Sequence, residues 1–572
     1  MGRLVVEITA DSGPQPAMPD EGDDRIGQLP KQLIDHATIC FEEQLYFQAF
    51  AILFRNLPQC LPPPRFLTLA ATLVVHPSLT TRTNSAEKHA ASDHALEYFR
   101  HVARLGAASG TVDGGCVGTE LSSALQFANG LTSRTARIRY RQRSGNQSSP
   151  NASDGEATPP SSRINLSFAG AESLYAKAED FWRVVGWAFT CSAVHRARWQ
   201  RWKLWLELVI AFLEDDLASC AAGVGGRAVE DALLTQYVAQ FKDGGRSSRK
   251  AIMRAIFADG SDKSRSEFTE IWRNETRPPK KDKFDEKRPI RKRERLDIDQ
   301  DNYGDYYEDS DQDSDLDPVA VIQPEQAPRP VGRPKRKLKP PPEQSSGKQS
   351  TTHTDTKADP STATTSALAS FGNIESLHLR HNLLGLLARY CSNHPGNLCD
   401  IQDLLGLYTE FLRPLPISLF QHFLLPTRRY LDMHAQSTLD QTLLQPLIVT
   451  SAPRYRENEL TQADFERHFA PFPANSSSVT ENAKVSLLVE DLLRLLWRSG
   501  WLEWTSVLES AVEKGIEARK MKASSDGRRK GVVELDAMAI LDESARRMRI
   551  CISILPGGDG RAKQARKARK AT

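Results

Sequence analysis

Apolar residues recur at helical spacing through the first part of the chain. From Ile26 to about Leu105 they repeat every three to four residues, the periodicity of one face of an α-helix. A cluster of prolines interrupts the pattern, and the apolar run after it predicts a helix over 66–75. The sequence at Ser85 is typical of a helix start, with Glu87 in the first turn.

The strongest helical pattern runs from Ala171 to Cys220, and a glycine-rich stretch at 223–226 ends it. Shorter helices are predicted over 229–241 and 248–257. The polar stretch at 141–163 is predicted to be a disordered surface insertion, because the helical pattern resumes after it. We therefore predict a first helical region over 26–257.

Helical periodicity returns in the last third of the chain, over 372–555. We find no fixed repeat period there, so a solenoid of helical repeats is not indicated. Between the two regions, residues 258–371 lack periodicity and have too few apolar residues to offset the entropy of folding. They are predicted to be a disordered linker.

The predicted fold class is all-α, with two helical regions separated by a long disordered insert in which charges are segregated. Residues 1–25 are predicted to be disordered, and 556–572 form a basic tail. The pattern leaves open whether the two helical regions pack as one body.

Tryptophans follow two helical faces. Trp199, Trp202 and Trp205 recur at every third position, and stripes of this kind are usually core because each ring buries a large area. The same interpretation is given to a second group: Trp497, Trp501 and Trp504.

Charge changes the picture through its distribution. The 572 residues carry a formal net charge of only +3. Basic residues dominate 280–295, acidic residues fill 297–317 without a single Lys or Arg, and basic residues return at 329–339 and 561–570. Blocks of this kind are solvated and commonly serve as interaction segments.

The block at 329–339 reads RPVGRPKRKLK. Its centre, Gly332-Arg333-Pro334, resembles the AT-hook of chromatin proteins. The narrow, negative minor groove over A·T pairs attracts an inserted arginine, and glycine lets the backbone approach closely. The resemblance implies DNA contact by Arg329, Gly332, Arg333, Pro334, Lys335, Arg336, Lys337 and Lys339.

The hook is expected to be weak, because Val331 stands where the family commonly has a basic or polar residue. A solvated basic linker or a nuclear import signal explains the same residues, and the sequence leaves these alternatives open.

Two further features of the insert are predicted, a nuclear localisation signal and a pair of phosphorylation sites. A bipartite nuclear localisation signal is predicted at Lys280, Lys281, Lys287, Arg288, Arg291, Lys292 and Arg293. Ser310 and Ser314 each precede an Asp by three residues, which is typical of acidophilic kinase sites, so they are candidate phosphorylation sites.

Other chemistry is weakly indicated. The eight cysteines include no CxxC pair, which favours a reducing compartment. The run from Cys391 through His394 to Cys399 has some zinc-ligand residues but lacks the usual knuckle, so no metal and no cofactor are predicted. No signal peptide, membrane span or catalytic motif is recognised, so we predict no membrane partner and no enzyme.

The predicted function is a nuclear, DNA- or chromatin-associated helical scaffold that binds protein partners and contacts A·T-rich DNA. Three alternatives stay open: an RNA-associated nuclear scaffold, an enzyme with an unrecognised helical site, and a cytoplasmic adaptor. Buried, converging titratable groups in a pocket would favour the enzyme.

Overall fold

A computed structural model describes the chain over these residues: 27–57, 60–61, 63–108, 115–127, 164–223, 226–279, 368–453, 460–525 and 531–555. The fold is all-α, as predicted, with its helices in two regions. The helices of the first region are α1 Lys31–Glu42, α2 Tyr46–Asn56, α3 Pro64–Val75, α4 Ala86–Ala108, α5 Gly115–Ala124, α6 Leu174–Lys177, α7 Phe181–Val194, α8 Arg196–Ala221, α9 Leu233–Ala239, α10 Gly245–Ile256 and α11 Asp262–Glu267. Gly27–Gln28 and Cys60–Leu61 form a short parallel β-bridge.

The second region has a long central helix surrounded by the others. Its helices are α12 Ile374–Asn393, α13 Ile401–Leu412, α14 Ile417–Leu424, α15 Met433–Ile448, α16 Gln462–Asp464, α17 Val479–Arg498, α18 Ser506–Ser524 and α19 Val532–Ser553. A π-helical turn, Phe465–Phe469, continues α16. Helix α17 is buried on nearly every face because α14, α15, α18 and α19 all pack against it.

Side-chain caps explain several helix starts. Asp180 accepts a hydrogen bond from the Arg183 amide and begins α7, and Asn373 does the same for the Ser376 amide at the start of α12. These oxygens satisfy amides that have no partner within the helix.

The two helical regions form one body. Their described residues belong to a single compact unit with a continuous apolar core. Helix α12 packs against α8, and α10 packs against both α12 and α13. Within the described ranges, no helix combines the length and apolar character that crossing a membrane requires.

Two predicted boundaries need correction. Residues 258–279 were predicted to belong to the disordered linker, but they include α11 and bury Phe268 and Trp272. The run of helical pattern from Ala171 to Cys220 is divided, since His195 separates α7 from α8. The apolar residues of 258–279 are too sparse to show periodicity, yet they pack on elements distant in sequence.

Candidate functional site

All predicted site residues of the insert lie outside the described residues. This holds for the predicted DNA contacts within 329–339, for the localisation signal from Lys280 to Arg293, and for Ser310 and Ser314. The structure does describe the chain on both sides of the range 280–367. We call these two flanking segments the roots of the insert: the first root is 268–279 and the second root is 368–380.

The first root is held by one buried carboxylate. Glu275 is 0% exposed, and its Oε1 accepts hydrogen bonds from Trp187 Nε1 at 2.9 Å, Trp202 Nε1 at 3.1 Å and Arg198 Nε at 2.9 Å. Its Oε2 accepts from the backbone amide of Trp272 at 3.1 Å. A buried charge is tolerated only when paired and hydrogen-bonded, and here both conditions are met.

Arg198 completes this network. Its Nη2 donates to Glu275 Oε1 at 2.7 Å and to the carbonyl oxygen of Val75 at 2.7 Å, and its Nη1 donates to Thr80 Oγ1 at 3.0 Å. The guanidinium therefore joins α8 and the end of α3 to the first root. The network ties residue 275 to parts of the chain more than seventy residues away.

The second root is packed against α7. Gly372 has φ +98 and lies so close to Ser192 that an added Cβ would come within 2.3 Å of the Ser192 hydroxyl. Ser192 Oγ also lies 3.1 Å from Ser376 Oγ, at the start of α12. Only glycine fits this left-handed, crowded position without strain.

A buried arginine fixes the second root from the other side. Arg380 Nη2 donates to the Ala258 carbonyl oxygen at 2.8 Å, and Nη1 donates to that of Ile256. Its guanidinium lies 4.1 Å from the Phe189 ring centroid and 4.7 Å from that of Phe371. Burial lowers the pKa of Arg380 to about 9.

Both roots therefore meet the same helix. The first root contacts α7 at Trp187, and the second contacts it at Phe189 and Ser192. The six residues from Trp187 to Ser192 are separated by five helical steps, which span about 7.5 Å along the axis. Both roots are therefore held on one short stretch of α7.

Ion pairs neutralise much of the surface where the two regions meet. Arg246 Nη2 of α10 lies 2.6 Å from Glu410 Oε1 of α13, and Lys250 Nζ of α10 lies 2.7 Å from Glu410 Oε2. Lys203 of α8 lies 2.6 Å from Glu375 at the start of α12. Acidic and basic residues nearly balance over the described ranges, so the positive excess of the chain falls in the rest of the sequence.

The two predictions about tryptophans have different outcomes. Trp199, Trp202 and Trp205 are core, as predicted. The core prediction is wrong for Trp497, which is 43% exposed, and for Trp501, which is 64% exposed. Trp497 lies in the last turn of α17, and Trp501 lies beyond that helix, after Gly500, which has a φ of +73.

An apolar pocket lies beside the exposed Trp501 ring. It has a volume of about 170 Å³ and lies between the start of α15 and the end of α17. Its lining residues are Met433, His434, Ser437, Leu460, Leu495, Leu496, Ser499 and Trp501. We call the pocket together with the exposed Trp497 and Trp501 rings the α15–α17 surface. Exposed apolar patches of this kind mark binding surfaces for other molecules.

A cluster of buried acids occupies the same two helices. Gln436 Nε2 donates to Asp440 Oδ1 at 2.9 Å and to Asp491 Oδ2 at 3.1 Å, and Arg429 Nη1 donates to Asp491 Oδ2 at 3.0 Å. Burial, with repulsion from Asp491, raises the pKa of Asp440. Both aspartates are 0% exposed and neither lines this pocket, and their hydrogen bonds join α15 to α17.

The run from Cys391 to Cys399, which has some zinc-ligand residues, brings together two of them. Cys391 and Cys399 do meet, with sulfur atoms 4.0 Å apart, whereas the His394 ring packs on Tyr390. Among the residues that the structure describes, no group of three His, Cys, Asp or Glu could hold a metal ion.

Comparisons with known proteins give no family. No protein-family model matches the chain, and no curated protein matches its sequence.

The residues that sequence reasoning missed are those of the roots. Glu275, Arg198 and Arg380 carry no motif, and their partners are distant in sequence. The one available signal was the presence of charged residues within or beside strongly apolar helices, which predicts buried pairing but not the partner.

Proposed function

We propose that this protein is a non-enzymatic nuclear scaffold that holds a charged insert on DNA while its helical body binds protein partners. The insert would contact A·T-rich minor groove through the AT-hook-like residues around Arg333. The flanking basic residues would neutralise phosphates.

One observation carries the proposal: both roots of the insert are fixed to α7 by buried contacts. A segment tied at both ends to one body cannot bind DNA without bringing that body along. Effective concentration then favours contacts between the body and anything assembled on the same DNA.

The charge of the body supports the proposal that the insert and the tail, rather than the body, contact DNA. Its cations at the interface between the two regions are already paired with carboxylates, as in Arg246 and Lys250 with Glu410. Paired cations release fewer counterions on meeting DNA, so the basic blocks of the insert and the tail are better suited to phosphate contact.

The body offers instead an apolar surface for a protein. Trp497 and Trp501 are large, exposed rings, and Trp501 lines the pocket. Aromatic residues are enriched where proteins bind each other most strongly. We expect protein partners to dock at the α15–α17 surface.

The test compares two full-length variants, each of which removes one positive charge. Arg333→Ala removes the central residue of the hook, and Lys348→Ala removes a lone lysine outside it. We expect Arg333→Ala to weaken binding to A·T duplex by about tenfold, because a groove contact of this kind is worth roughly 1–3 kcal/mol. Binding to G·C duplex should change much less, and Lys348→Ala should affect neither.

The measurement is fluorescence anisotropy at fixed salt with A·T duplex, G·C duplex and structured RNA. Equal losses on both duplexes would reduce the segment to a nonspecific polycation. Tighter binding to RNA than to either duplex would favour an RNA-associated scaffold instead.

A further inference from the structure

Two cysteines meet at the corner between α12 and α13. Cys391 lies in the last turn of α12, and Cys399 lies two residues before α13 begins. Their sulfur atoms are 4.0 Å apart, and both residues are buried. A reducing compartment keeps such thiols reduced. Because these two lie close together, they are expected to bond to each other when an oxidant is present.

We propose that Cys391 and Cys399 form a reversible disulfide when the protein meets a peroxide, which makes this corner a redox modification site. The proposal is independent of DNA binding, because it rests only on the contact between these two thiols.

Only a small movement is needed to close the pair. A disulfide needs its sulfur atoms about 2.05 Å apart, so they must approach by roughly 2 Å. Cys391 is held in α12, whereas Cys399 lies in the connection before α13 begins, so we expect the movement on the Cys399 side.

The two thiols are chemically unequal. The hydrogen bond from the Cys391 thiol lowers the pKa of Cys399, burial opposes this, and the guanidinium of Arg249 lowers it further. The same hydrogen bond raises the pKa of Cys391. Cys399 is also the more exposed of the two residues, at 6% against 0%. We therefore assign the attack on the oxidant to Cys399 and the resolving step to Cys391.

The reaction balances with hydrogen peroxide as the oxidant. The Cys399 thiolate attacks one peroxide oxygen, the O–O bond breaks, and the leaving hydroxide takes up the proton that Cys399 had lost, forming water. Cys399 is now a sulfenic acid. The Cys391 sulfur then attacks the Cys399 sulfur and expels the hydroxyl as a second water, which takes the Cys391 proton. Two thiols are oxidised and one peroxide is reduced to two waters.

The disulfide would act at the contact between the two helical regions. Arg249 of α10 lies 3.8 Å from Asp403, in the first turn of α13, and α10 packs on both α12 and α13. A bond across the corner would restrict the unfolded chain and so favour the folded body.

The test treats native full-length protein with hydrogen peroxide, blocks remaining thiols and maps the peptides by mass spectrometry. We expect one peptide pair that links Cys391 to Cys399, short by two hydrogen atoms and restored by dithiothreitol. If both thiols remain open to alkylation after native treatment, or if they link only after unfolding, the proposal is overturned.

The Cys391→Ser variant tests the order of events. Without the resolving thiol, Cys399 should persist as a sulfenic acid and be trapped by dimedone, whereas wild type and Cys60→Ser should give the disulfide and little adduct. Trapping at Cys391 in Cys399→Ser, with none at Cys399 in Cys391→Ser, would contradict the assignment. In the wild-type chain, oxidation should raise the melting temperature by a few degrees. Variants that lack either thiol should show no such increase.

Discussion

Two buried arginines, one in each helical region, are compensated in different ways. In the first region Arg198 and Glu275 are both buried and satisfy each other, with two tryptophan N–H groups completing the carboxylate. In the second region Arg519 is equally buried but meets no carboxylate among the described residues, where it donates to the backbone carbonyls of Ala470 and Phe472. Its Nε and Nη2 find no acceptor in that part of the chain.

The difference shows what each arginine does. The Arg198–Glu275 pair joins the segment directly before the insert to α8. Arg519 lies within one helix that already packs through Leu508, Val512 and Ile516, so its charge adds cost without a matching gain. Burial accordingly lowers the pKa of Arg519 to about 9.

The largest effect is expected at Glu275. Glu275→Gln would leave Arg198 buried without a counter-charge, which should cost about 4 kcal/mol of unfolding free energy. Chemical denaturation monitored by tryptophan fluorescence measures it, and Glu270→Gln, at an exposed site in the same segment, is the control. A loss below about 1 kcal/mol would mean that the pair does not hold the first root.

A smaller, pH-dependent effect is expected at Asp440. The folded-state pKa of this carboxyl is raised above its unfolded value by burial and by Asp491. Its contribution to stability is therefore complete below the unfolded pKa and is lost as the pH rises through the folded pKa. Between the two values the loss is about 1.4 kcal/mol per pH unit.

Asp440→Asn should remove this slope, so its stability relative to wild type should improve as the pH rises from 4. The measurement is a series of denaturation curves across that range. Asp432→Asn is the control, because it lies in the same region but is an exposed helix cap that asparagine also serves. Parallel curves for wild type and Asp440→Asn would show that the carboxyl ionises freely in the fold.

The smallest effect is expected at Arg519. Arg519→Met should change the unfolding free energy by no more than about 1 kcal/mol in either direction, since replacing a poorly compensated buried charge with an apolar residue is often neutral. Arg380→Met is the comparison. Each of its nitrogens has a hydrogen-bond acceptor, so it should lose clearly more stability in the same denaturation assay. Equal losses would erase the distinction between the two arginines.

Sequence reasoning was sufficient for what depends on local pattern. The helix predicted over 66–75 is found as α3, and the helix start at Ser85 is found at Ala86. The stripe of Trp199, Trp202 and Trp205 is core because its period matches the helix. The same reasoning wrongly predicts that Trp497 and Trp501 are core. Periodicity does not show which residues at the end of a helix, or just after it, lack packing partners.

The roots could not be predicted, because their contacts are not local. Glu275 reaches Arg198 across 77 residues, and Arg380 reaches Ile256 across 124. Nor does periodicity show that two helical regions separated by a long insert share one core. The AT-hook-like residues stay a prediction, because they lie outside the described residues.

The most direct test of the central claim is the salt dependence of DNA binding by the full-length protein with and without residues 329–339. Deleting these residues should lower the slope of log K against log salt by several units, since each lost phosphate contact removes about 0.9. Deleting 340–347, which contains no Lys or Arg, should leave the slope as it is. An unchanged slope after the first deletion would contradict the account, because those residues would then touch no phosphate.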